Sequence, residues 1–159
     1  METTTASTAS ALRDDFDPDG RVRGNPLLDD LDVRLGRIAP GECTLTLQIG
    51  ERHLNRSGSL QGGVSATLLD AACGYAGLMT DAQAPLRHGV TVMLSVCYLG
   101  RVSAGRVLAT GRVVRSGRSI FFCSGELVSE AGELIATAQG SFKRTAPLSR
   151  QSISKETRS

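Results

Sequence analysis

Between Gln61 and Met79 the chain runs through small and apolar residues with one charged side chain among them, Asp70. From Val64 to Met79 the run is long enough for about four helical turns at 3.6 residues each. Apolar residues fall on nearly every face of that helix, so it has to be covered on all sides. Gly62, Gly63, Ala66, Ala71, Ala72, Gly74, Ala76 and Gly77 would let another layer come close to its backbone. Gly74 and Gly77 point to a steric need, because glycine in a helix interior costs about 1 kcal/mol relative to alanine. Burying an unpaired carboxylate costs several kcal/mol or forces it to take up a proton. A chain keeps such a group mainly where it does chemistry, which makes Asp70 the first catalytic candidate.

The flanking pattern supplies the cover. Cys43, Leu45, Leu47 and Ile49 alternate with Thr44, Thr46 and Gln48, the period of a half-buried strand. Leu31, Val33 and Leu35 alternate before it and Pro40-Gly41 makes the turn, so 31–50 reads as a hairpin. A short helix follows Asn25 as its cap, with Pro26 at the first position. After the long helix, Val90, Val92, Leu94, Val96 and Tyr98 alternate with Thr91, Met93, Ser95 and Cys97. Strand-length segments follow at 105–115, 119–128 and 134–143, separated by the turns Arg115-Ser116-Gly117-Arg118 and Glu130-Ala131-Gly132-Glu133. The expected architecture is α+β: a curved antiparallel sheet wrapped around one central helix. Residues 1–24 and 145–159 lack periodicity and are expected to be disordered tails around a domain at 25–144.

A chain of 159 residues holds one domain. Its 18 basic and 16 acidic residues are scattered, and four Phe and two Tyr with no Trp offer no stacking platform, so no nucleic-acid partner is expected. Asp70 interrupts the longest apolar run before it reaches the roughly 18 residues of a membrane span, so no membrane association is expected. Met1-Glu2-Thr3-Thr4-Thr5-Ala6 lacks the basic and then apolar regions of a secretory signal. Cys43, Cys73, Cys97 and Cys123 lie far apart in apolar stretches and read as reduced core residues, which fits a cytoplasmic protein. With only His53 and His88 and no Cys-x-x-Cys pair, no metal site is expected. Neither histidine has a nucleophile elbow to serve, so His53 reads as a loop residue. Cys73, Tyr75 and Met79 read as packing.

The segment His53-Leu54-Asn55-Arg56-Ser57-Gly58-Ser59-Leu60-Gln61-Gly62-Gly63, followed by Asp70, resembles the active-site segment of hotdog-fold acyl-CoA thioesterases, in the phenylacetate-pathway (PaaI-like) branch. That family's pattern is an Asn, a His-Gly-Gly six residues later and an acid nine beyond the His, and this chain has Asn55, Gln61-Gly62-Gly63 and Asp70 at those spacings. The resemblance covers about residues 25 to 144. It extends to Gly89-Val90-Thr91-Val92, and to Arg115-Ser116-Gly117-Arg118-Ser119, which is similar to a basic turn near the coenzyme A phosphates. It implies a hotdog fold and hydrolysis of an acyl- or aroyl-CoA thioester. It also implies a homodimer or dimer of dimers with composite sites, and no metal or redox cofactor, coenzyme A entering only as part of the substrate.

Thioester hydrolysis needs a polarised carbonyl, an activated water and a holder for the developing oxyanion. If Gly62 and Gly63 open the helix, their N–H groups have no intrahelical partner and sit at the positive end of the dipole. A thioester oxygen against the Gly63 N–H would bind more strongly as it becomes an oxyanion. Asp70 lies about 10 Å further along the axis on nearly the same face, out of reach of that carbonyl. The resemblance implies that the acid of one subunit meets the glycine turn of the other. Asp70 would act as general base or as nucleophile, and the sequence leaves both open. By the same resemblance Thr91 orients the water and Asn55 fixes the loop or the acid. Gly62 and the turn of Arg115, Ser116, Gly117, Arg118 and Ser119 hold the coenzyme A portion. Gln61 stands where the branch has histidine: it can donate a hydrogen bond but cannot titrate. Two further readings therefore stay open, a non-catalytic acyl-CoA-binding module and a thioesterase for acyl chains on a carrier protein.

Overall fold

The computed structural model describes residues 16–79 and 87–145. Apolar side chains that alternate with threonines bury one face of a strand, and Cys43, Leu45 and Leu47 do so on β2 (Glu42–Gln48). Strand β1 (Arg34–Ala39) folds back onto it through Pro40 and Gly41. The φ of +78° at Gly41 is one that glycine adopts without a Cβ clash. Ahead of the hairpin, α1 (Pro26–Asp30) is capped by Asn25, whose Oδ1 accepts from the Leu28 N–H at 3.3 Å. The long helix α2 (Gly62–Leu78) follows, and then β3 (His88–Tyr98), β4 (Arg106–Ser116), β5 (Ile120–Ser129) and β6 (Leu134–Thr145). Every paired strand is antiparallel and the order is β1-β2-β4-β5-β6-β3, so β3 crosses over to the far edge.

Helix α2 packs on one face of this sheet, mainly over β4, β5 and β2. Its stripe of Leu68, Leu69, Ala72, Cys73, Ala76 and Gly77 is buried against Leu45, Val107, Ala109, Leu127 and their neighbours. Close approach dictates two glycines there. A Cβ on Gly111 of β4 would lie 2.5 Å from the Ala72 carbonyl carbon, and one on Gly77 would lie 2.0 Å from the Phe121 ring. Gly74 has no such constraint, since a Cβ there would sit at an ordinary 3.8 Å from Phe142.

Four further expectations are corrected. The helix is not covered on all sides: one sheet covers one stripe, leaving Gly63 exposed and Thr67, Asp70 and Gly74 half-exposed. The folded unit begins before residue 25, because Phe16 and Val22 are buried, Phe16 packing on Tyr75 with ring centroids 5.6 Å apart. A bridge from Phe16 to Val22 closes that stretch on itself and one from Arg21 to Arg34 holds it on β1, so tertiary contact overrides its turn-rich composition. The rest of the two expected tails, 1–15 and 146–159, lies outside the described residues. Val90 and Val92 do not face the helix: the register of β3 against β6 shifts between Thr91 and Met93, and both valines are exposed. Cys97 is likewise exposed on this edge strand, whereas Cys43, Cys73 and Cys123 are buried free thiols. Among the described residues no helix is long and apolar enough to cross a membrane.

Candidate active site

The shifted register of β3 creates the site. After the bulge, Leu94 and Val96 pair with Gly140 and Ala138 and pack on the core. Strict alternation back from Leu94 would turn Thr91 away from the helix. The extra residue restores Thr91 to the helix side, opposite the buried Phe142, a common use of a bulge beside a functional group. Thr91 Oγ1 then donates to Asp70 Oδ1 at 2.8 Å. Asp70 is a half-exposed residue at the edge of a cleft of about 370 Å³. The cleft is lined by Leu27, Ala71, Tyr75, Leu78 and Phe142 and, in about equal measure, by polar groups that include Arg23, Asn25, Thr67 and Arg87.

The glycine turn lies at the other end of the helix. Gln61 is the N-cap of α2 and makes no side-chain capping bond, so its amide is free to turn outward. The Gly62 and Gly63 N–H groups have no acceptor among the described residues, as expected for the first turn of a helix. Their carbonyls are occupied, Gly62 O by Tyr98 Oη at 2.8 Å and Gly63 O by Thr67 Oγ1 at 2.9 Å. Asn55 Oδ1 accepts from Ser57 N at 2.9 Å and Ser59 N at 3.2 Å, which fixes the loop ahead of the helix. Asn55 and Gly62 line a second, polar cleft with Ser65, Tyr98 and Arg101. Within one chain Asp70 and Thr91 therefore meet, while Asn55, Gln61, Gly62 and Gly63 gather about 10 Å away along the helix axis.

The basic turn is a third locus, at the end of β4 and start of β5. Arg115 and Arg118 are exposed and make no ion pair or side-chain hydrogen bond within the described residues, and Ser119 is exposed beside them. Ser116 and Gly117 are held from behind by a residue the sequence reading missed, Arg144 of β6. Nothing in the pattern of β6 marks Arg144 as buried, since lysine and arginine follow each other at its end. Burial, and then the charge of Arg87, push the Arg144 pKa below its ordinary value.

His53 is buried and structural: its Nδ1 accepts from the Gly50 N–H at 2.9 Å, which leaves Nε2 to donate to Leu31 O at 3.0 Å. Cys73 and Cys123 pack together between α2 and β5. Their mutual hydrogen bond and burial push the Cys73 thiol up, and the same bond pulls Cys123 down. Among the described residues no three of His, Cys, Asp and Glu gather as metal ligands would.

Comparison with known proteins bears on the family and the fold. The thioesterase superfamily model matches residues 57–136, a span that includes the glycine turn, Asp70, Thr91 and the basic turn. Human acyl-coenzyme A thioesterase 13 is 34% identical over 106 residues, covering 65% of this chain and 74% of that protein. The zebrafish thioesterase superfamily member 2 structure aligns with a TM-score of 0.65 at 31% identity, covering 76% of this chain and 88% of that one. A mutant of the phenylacetic acid degradation protein PaaI from Thermus thermophilus aligns at 0.66 and 28% identity, covering 76% and 100%. With a six-stranded antiparallel sheet, one main helix packed on it and these relatives, the chain belongs to the thioesterase superfamily, as a hotdog-fold thioester hydrolase of the PaaI-like type.

Proposed function

We propose that this protein hydrolyses acyl- or aroyl-CoA thioesters to the free acid and coenzyme A, at sites completed between two copies of the chain. The observation that carries this reading is the Asp70 and Thr91 pair, a carboxylate held by a hydroxyl at the edge of a cleft lined by both apolar and polar side chains. The acyl group would enter that cleft. Asp70 would activate water as a general base or attack the thioester carbon itself, and Thr91 would orient the water or the carboxylate. Hydrolysis transfers no electrons, so the reading calls for no redox cofactor.

The oxyanion needs donors aimed at one point, and the Gly63 N–H and the Gln61 amide are donors without a partner among the described residues. A second copy brought against the uncovered stripe of α2 would set its glycine turn beside Asp70. Support for such pairing comes from β3, an edge strand whose Val90, Val92, Met93 and Tyr98 are all exposed. Asn55 would hold the loop that presents the turn. Arg115, Arg118 and the backbone of Ser116, Gly117 and Ser119 would meet the coenzyme A phosphates, with Gly62 allowing close approach of the thiol arm.

The test is thiol release from a panel of acyl- and aroyl-CoA esters, alongside matched carrier-protein thioesters, by wild type and Asp70→Asn. Release that is fastest on coenzyme A esters and abolished in the variant supports the proposal. Tight binding of acyl-CoA without release would replace it with a binding module, and preference for the carrier-protein ester would move the substrate.

A further inference from the structure

Arg144 is only 7% exposed, yet its partners among the described residues are all neutral oxygens. A buried arginine ordinarily faces a carboxylate or a phosphate. Here Nε and Nη2 donate to Gly77 O at 3.1 and 2.9 Å, Nη1 donates to Gly117 O at 2.9 Å, and Nη2 also donates to Ser116 Oγ at 2.8 Å. The guanidinium carbon lies 4.6 Å from the centre of the Phe121 ring. One planar fork thus joins two segments far apart in sequence. The first is the C-terminal end of α2, whose last carbonyls lack intrahelical partners and whose dipole favours a cation. The second is the turn that carries Arg115 and Arg118.

That turn has little else to fix it. Besides the strands it joins, it is closed by Gly117 N to Ile120 O at 2.7 Å and by Arg144's own N–H to Ser119 O at 2.7 Å. A free turn would have to be ordered when it met a polyanion, and that cost appears as weaker binding. Lysine could not do the same work, because an ammonium has no planar fork to reach Gly77 and Gly117 together.

We propose that Arg144 is a positioning residue for coenzyme A recognition, anchoring the Ser116-Gly117 turn to the end of α2 so that Arg115 and Arg118 stand ready for the phosphates. This rests on the reading of the turn as the coenzyme A contact. Arg144 acts on how tightly the nucleotide portion is held, and not on bond breaking at Asp70.

The experiment compares two thioesters of the best acyl group from the panel, one on coenzyme A and one on N-acetylcysteamine, which carries no phosphate. For Arg144→Lys the expected result is a KM for the coenzyme A ester raised about fivefold or more with kcat within about twofold, and unchanged constants on N-acetylcysteamine. Equal losses on both esters would reduce Arg144 to a fold-stabilising residue, and no change on either would remove it from the site; each outcome overturns the proposal. Arg144→Gln, which keeps an amide donor toward Gly77 O, serves if the lysine variant does not fold. The double variant Arg115→Ala with Arg118→Ala separates the two layers. If it leaves the coenzyme A KM unchanged, the reading of the turn falls and the proposal with it. If it raises KM while Arg144→Lys does not, only the positioning role falls.

Discussion

Thr91 Oγ1 donates to Asp70 Oδ1 at 2.8 Å from a strand whose alternation would otherwise point it away, and the bulge at Val92 is what turns it inward. A carboxylate so held has one oxygen engaged by a hydroxyl at the edge of the cleft. Asp70→Asn, similar in shape but unable to take a proton or attack, should lower kcat by about a hundredfold or more. Thr91→Val removes one hydrogen bond to a charged group and should cost roughly tenfold, while Thr91→Ser should stay near wild type. Steady-state thiol release measures all three. Full activity in Asp70→Asn would end the role given to this residue.

Gly77 and Gly63 sit on the same helix but answer to different demands. A Cβ on Gly77 would enter the Phe121 ring, whereas one on Gly63 meets nothing within 4 Å. Gly77→Ala should therefore destabilise the fold by about 1–3 kcal/mol or more through overpacking, and Phe121→Leu in the same chain should recover part of the loss. Gly63→Ala should leave the melting temperature unchanged or slightly higher, and lower kcat if a thioester oxygen approaches that N–H closely. Melting curves and rates on the same preparations check both. Comparable destabilisation by the two substitutions would contradict the packing described.

These glycines also show what the sequence could reveal. The period-two run at 43–49 and the turn-bounded, strand-length stretch at 134–143 foretold strands, and Asn25-Pro26 foretold a capped helix, because those signals are local. The steric demand on Gly77 was legible as an unfavourable residue in a helix. Its partner Phe121 was not, since that contact depends on how β5 lies under α2. The uncovered stripe of α2 was invisible for a related reason: small and apolar residues suit a helix packed on one side by its own sheet as well as one buried all round. A bulge adds one residue to a strand without changing its composition, so Val90 and Val92, in phase with Leu94 and Val96 in the sequence, are exposed instead of sharing their face. Arg144 was missed because its acceptors are two backbone carbonyls and one serine hydroxyl, which no charge pattern announces.

Burial pushes the Cys43 thiol from its ordinary 9.0 up to about 12. Below pH 9 the folded and unfolded chains both hold the proton, and the stability that goes with the raised pKa is fully present. As pH rises from 9 towards 12 the unfolded chain releases it and the folded chain does not, so stability falls by up to about 1.4 kcal/mol per pH unit. Cys43→Ala should start lower at pH 7 because a buried side chain is truncated, yet lose less between pH 8 and 10.5. Urea midpoints at the two pH values provide the comparison. An identical alkaline loss in the variant would show that Cys43 does not titrate this way.

Gln61 caps α2 with an exposed side chain that makes no capping bond, so substitutions there should shift stability by no more than about 0.5 kcal/mol. Changes in rate at this position are therefore changes in chemistry. If its amide donates to the developing oxyanion, Gln61 contributes nothing that titrates, and Gln61→Ala should lower kcat roughly tenfold or more with the shape of the pH profile unchanged. Gln61→His installs a group that titrates near pH 6.5 in the same place. Its kcat/KM profile should acquire a new limb close to that value, while above pH 7.5 the neutral ring, still an N–H donor, should hold the rate within a few-fold of wild type. Rates across pH 5.5 to 8.5 for the three proteins separate a hydrogen-bonding role from a proton-carrying one. If Gln61→Ala works as fast as the wild type, the oxyanion must rest on the Gly63 N–H alone, and the residue that departs from the family pattern would have no part in the reaction.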